Sequence, residues 1–98
     1  MTRHEAITRI RAALRQRSGR AWSVRGLPYG QISIRARPDR CNTEDGQMQY
    51  GDRRTLRELL GLSELPHREG IRIGTLEDYQ EYVDRAENRF SQTTRNDR

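Results

Sequence analysis

Apolar positions along the chain recur with two periods, and the change of period marks its elements. Ile7, Ile10 and Leu14 fall at i, i+3 and i+7, with Ala6 and Ala13 beside them, so residues 2–18 predict a helix with one narrow apolar stripe. Thr2 and Glu5 have capping-box spacing, in which each side chain satisfies the other end's free backbone N–H. Gly19 stands where a helix C-terminus takes a left-handed residue. From Ala21 to Ala36 the period becomes two. Trp22 and Val24, then Ile32 and Ile34, alternate with Ser23, Arg25, Ser33 and Arg35, which predicts a hairpin. Its loop, Gly26-Leu27-Pro28-Tyr29-Gly30, suits a turn longer than two residues.

Residues 37–51 hold almost no branched apolar side chain and many turn formers, so they predict a long mobile loop. A short strand around Met48 and Tyr50 is the alternative. Asp52 is placed to cap a second helix through Leu60, with Leu56, Leu59 and Leu60 inward, Gly61 ending it and Leu62 packing back. Ile71-Arg72-Ile73-Gly74 alternates as a third or edge strand. Thr75 and Asp78 open a third helix whose apolar side is Leu76, Tyr79, Tyr82, Val83 and Ala86, with Phe90 one turn further. Residues 91–98 carry no apolar side chain and predict a disordered tail, leaving 1–90 as a single domain. The expected fold is α+β: a small antiparallel sheet of two to three strands with helices packed on one face, in the order α-β-β-α-β-α. Such a sheet leaves its other face wet. By parity that face carries the hairpin's serines and arginines, while Trp22 goes to the core.

Composition sharpens this picture. With 98 residues, 32% of them hydrophobic, and a mean hydropathy of −1.12, the core is small and stability modest or helped by a partner. No segment resembles a signal peptide, and no apolar run approaches the roughly 20 residues that span a bilayer, so no membrane is expected. The one cysteine, Cys41, cannot form an internal disulfide, which points to a reducing cytoplasm. All 19 basic residues are arginine. A GC-rich genome explains that plainly, yet every cation is then a planar fork suited to phosphate or carboxylate. Residues 1–40 hold ten arginines against Glu5 and Asp39, a formal +8; residues 41–98 hold nine against twelve acids, −3. The positive field therefore belongs to the first helix and the hairpin.

Catalytic chemistry finds little support. Cys41 and His67 are the candidate thiol–imidazole pair, and nothing places an orienting third group beside them. His4 lies in a first helical turn and reads as exposed. Two histidines and one cysteine lack the local spacing of a metal set, and Glu44, Asp45 and Asp52 read as solvated loop charges without calcium-ligand alternation. No phosphate-cradling glycine motif is present. The expectation is a non-enzyme without cofactor or metal.

Nucleic acid is the favoured partner. Arg25, Arg35 and Arg37 line the open hairpin face, and Tyr29 projects from its loop as a stacking platform for unpaired bases. Arg11 and Arg15 of the first helix add flanking positive charge. About five arginines on phosphates predict a log K against log salt slope of roughly −3.5 to −4.5. The alternative is a protein-binding module or inhibitor, since Arg and Tyr are enriched at interfaces. The acidic third helix, with Glu77, Asp78, Glu81, Asp84 and Glu87, offers an oppositely charged face, or forms local pairs such as Glu81 with Arg85. The charge split also favours a homodimer or head-to-tail association. A solvated arginine-rich face with no partner is the plain reading.

The run ITRIRAALRQRSGRAWSVRGLPYGQISIRA, above all Trp22, Ser23 and Val24, resembles the large polyvalent protein-associated domains carried by phages and plasmids. HREGIRIGTLEDYQEYVDRAENR, through Tyr79, Tyr82, Arg85 and Ala86, is similar to the ending of small uncharacterised bacterial proteins that share that front half. The two stretches cover about half the chain; the loop from Arg37 to Gly51 has no counterpart. The resemblance implies a mobile-element setting and no catalytic residues. Such elements use small proteins both to coat nucleic acid and to block host defence complexes such as CRISPR.

Overall fold

Thr2 opens the first helix as its spacing requires: its Oγ1 accepts from the Glu5 backbone N–H at 3.1 Å. The reciprocal bond runs from the Thr2 hydroxyl to Glu5 Oε1 at 3.3 Å, in place of the expected Thr2 N–H. The helix, α1 (Arg3–Ser18), ends at Gly19, whose φ of 75° lets its N–H reach the Arg15 carbonyl at 2.8 Å. The structure, a computed structural model, describes residues 1–40, 47–65, 70–74 and 76–88.

After α1 come β1 (Trp22–Gly26), a short turn over Pro28–Gly30, and β2 (Ile32–Ala36). Then follow α2 (Tyr50–Leu60), β3 (Ile71–Ile73) and α3 (Leu76–Ala86). The strands form one antiparallel sheet in the order β1-β2-β3. The element order and the α+β class match the sequence expectation. Trp22, Val24, Ile32, Ile34, Ile71 and Ile73 turn inward and are at most 3% exposed. They meet Ala6, Ile10 and Leu14 of α1, Leu56 and Leu60 of α2, and Tyr79 and Val83 of α3, so the helices lie on one side of the sheet. Each fully buried branched aliphatic contributes about 1.5–3 kcal/mol, which is how a thin layer of such residues holds so polar a chain.

Four local expectations are corrected. Tyr50 belongs to no strand: it opens α2, and the cap residue is Gln49, three residues before the expected cap Asp52 and without a side-chain bond. Asp52 therefore lies inside the first turn and is 4% exposed, so it is not a solvated loop charge. Met48 joins the core, its Sδ accepting the Ala36 N–H at 2.9 Å. Leu76, placed on the apolar side of α3, is the first residue of that helix and is 64% exposed, outside its buried stripe of Tyr79, Val83 and Ala86. The expectations for Cys41, Glu44, Asp45, His67, Thr75, Phe90 and the 91–98 tail fall outside the described residues.

Gly70 is required where the chain enters β3. Its φ is 138°, and a Cβ there would stand 2.0 Å from the Ile34 carbonyl oxygen. Only a residue without a side chain lets β3 approach β2 this closely.

Candidate nucleic-acid interface

The parity that buries Trp22 and the isoleucines turns Ser23, Arg25, Ser33, Arg35 and Arg72 to the opposite side. Register arranges them in two rows. Arg25 pairs across from Ser33, and Ser33 across from Arg72; Ser23 pairs across from Arg35. With neighbouring strands about 4.8 Å apart, Arg25 and Arg72 bracket Ser33 at a span of about 10 Å, and Arg35 sits on the adjacent row. Arg25 and Arg72 are exposed, and among the described residues their side chains make no hydrogen bond or ion pair. Ser23, Ser33 and Arg35 are half-buried. None of the three strands contains a carboxylate.

The other expected site residues surround this patch to different degrees. Tyr29 projects from the hairpin turn, 97% exposed. Arg37 follows β2 and pairs with Asp39 at 3.6 Å, both side chains more than half exposed, a contact that water and salt screen to little. Arg11 does not stand free: its Nη2 donates to the Val24 carbonyl at 2.6 Å. That bond covers an outward backbone acceptor of the edge strand β1 and fixes the guanidinium at the rim. A carbonyl does not neutralise it, so its charge still adds to the face. Arg15, one turn along the same side of α1, is exposed.

Arg72 is the site residue that the sequence reading missed. The alternation Ile71-Arg72-Ile73 already turned it away from the core, but only the β2–β3 register places it beside Ser33.

Most remaining arginines of the basic N-terminal part serve the fold. Arg3 Nη1 bonds the Leu27 carbonyl at 2.8 Å. Arg9 grips Glu87 through two bonds of 3.0 and 2.8 Å, and this bond raises its pKa above the ordinary value. Arg17 Nη1 lies 2.7 Å from Leu59 O, 3.2 Å from Arg85 O and 2.7 Å from Ala86 O, so it ties the C-terminal ends of α2 and α3 to α1. Burial there lowers its pKa. Arg20 and Arg40 both bond Asp52, at 2.6 and 3.4 Å. Arg40 also stacks over Trp22, 4.9 Å from the ring centre, and donates to the Ala21 carbonyl at 2.6 Å. Among the described residues Arg9 is thus the one arginine of α1 paired with a carboxylate; Arg3, Arg11 and Arg17 are held in place by carbonyls and keep their charge, so α1 and the sheet share the outward positive field.

Among the described residues no group of three or more His, Cys, Asp or Glu is arranged to hold a metal ion. No described helix is long and apolar enough to cross a membrane. His4 is exposed in the first turn of α1, as expected. No protein-family model, curated protein or solved structure matches the chain, so the functional reading is built on the surface itself.

Proposed function

We propose that this chain is a small non-enzymatic protein that binds nucleic acid on the wet face of its sheet. One observation carries the reading. Arg25, Arg35 and Arg72 project from three adjacent strands to one side, with Ser23 and Ser33 between them and no carboxylate in any of those strands. Guanidiniums and hydroxyls on a rigid sheet are the donors that phosphate oxygens accept from, and they need no pocket. Arg11 and Arg37 extend the positive rim at the β1 edge and beyond the end of β2. A reducing cytoplasm, in the mobile-element setting that the sequence motifs suggest, suits a chain with one cysteine.

A salt titration tests it. Fluorescence anisotropy with labelled single- and double-stranded DNA and RNA should show affinity falling with salt. Each phosphate neutralised contributes about −0.7 to −0.9 to the log–log slope, so three sheet arginines give roughly −2 to −3. That is shallower than the estimate built on five arginines. Arg25→Ala with Arg72→Ala should remove about 1.4–1.8 of it. No binding to any oligonucleotide at about 50 mM salt, where polyanion affinity is greatest, overturns the reading and reassigns the same face to an acidic protein surface.

A further inference from the structure

The hairpin turn carries a residue that its own geometry disfavours. Tyr29 has φ 63° and ψ 29°, and Gly30 follows at φ 75°. Two consecutive left-handed residues are the signature of a type I′ turn, whose first central position prefers Asn, Asp or Gly. A bulky aromatic at positive φ is an outlier. Packing does not explain it, because the ring is 97% exposed. The next residue, in contrast, is tied down: the Tyr79 hydroxyl of α3 donates to the Gly30 carbonyl, and Leu27 N–H bonds Gln31 O at 2.7 Å across the base of the turn. The turn is thus anchored to the core on one side while it presents an unsupported aromatic ring on the other.

We infer that Tyr29 is a base-stacking residue and that the ligand of the sheet face is therefore single-stranded; this rests on the nucleic-acid reading above. Strain that persists without a packing reason is found where a side chain is needed for recognition. An exposed ring stacks on any unpaired base, whereas a duplex keeps its base faces inside the helix. The ring sits at the tip of the hairpin that carries Arg25 and Arg35, so phosphates on those arginines lead the strand toward it.

The test is a substitution whose effects on folding and binding have opposite signs. Tyr29→Asn places a favoured residue in the left-handed position, so thermal stability should hold or rise. The same change should weaken binding of a 12-nucleotide oligo-dT or oligo-U by roughly 5- to 150-fold, the range for losing one base–aromatic stack. Duplex affinity and the salt slope should stay as they were. Tyr29→Phe should bind like the native protein. If Tyr29→Asn binds single strands as tightly as the native protein while Arg25→Ala/Arg72→Ala abolishes binding, the stacking role is wrong and the nucleic-acid reading stands. Equal losses on single strand and duplex overturn it too. A native protein that binds no oligonucleotide overturns both.

Discussion

Arg15 and Arg17 lie two residues apart in the last turns of α1, and the structure gives them opposite tasks. Arg17 Nη1 faces three main-chain carbonyls, of Leu59, Arg85 and Ala86, at 2.7, 3.2 and 2.7 Å. Those carbonyls sit at the ends of α2 and α3, where helices leave acceptors unmet and carry partial negative charge. A bond involving a charged group contributes about 1.5–3 kcal/mol, but one nitrogen carries two hydrogens, so at most two full bonds count. Solvent around the guanidinium screens them further. Arg17→Ala should therefore cost about 2 kcal/mol. In a domain of this size each kcal/mol moves Tm by about 4–8 °C, giving a fall of about 8–16 °C. Arg15→Ala removes an exposed cation and should stay within about 0.5 kcal/mol. Alanine is the better helix former at both positions, so propensity cancels in the comparison. Thermal and urea unfolding followed by far-UV circular dichroism decide it. Equal Tm changes in the two variants would refute the claim that the arginines of α1 divide between fold and surface.

Gly70→Ala should lower stability by at least about 3 kcal/mol or prevent folding, because the new Cβ would meet the Ile34 carbonyl oxygen at 2.0 Å; urea unfolding reads the change, and a loss under 1 kcal/mol contradicts the close β2–β3 approach. Asp52→Asn keeps the volume but removes the shared charge under Arg20 and Arg40, whose Nη2 is already buried without a hydrogen bond. It should cost about 2 kcal/mol by chemical denaturation and alter Trp22 fluorescence as Arg40 leaves the ring; unchanged fluorescence would argue against the stack.

The strands were legible because their period is two and register-independent: Trp22, Val24, Ile32 and Ile34 announce their own face. Helix ends were legible at Gly19 and Gly61, where left-handed closure calls for glycine. Asp52 was misread because the same residue type caps a helix from outside or serves in its first turn, and two distant arginines decide which. Composition hid the division of labour among arginines. Arg9, Arg11 and Arg15 look alike in sequence, and their roles depend on Glu87, on Val24 and on open solvent. Arg72 escaped the site for a related reason. Its outward parity was visible, but its place beside Ser33 depends on a pairing between residues far apart in the chain.

The most direct measurement of the central claim is an amide chemical-shift titration of the labelled protein with a short single-stranded oligonucleotide at low salt. The largest shifts should fall on Ser23, Arg25, Ser33, Arg35 and Arg72, with Tyr29 at the tip, while Glu77, Gln80 and Asp84 on the helix side stay fixed. Shifts concentrated on α1 to α3, with the strands unmoved, would contradict it.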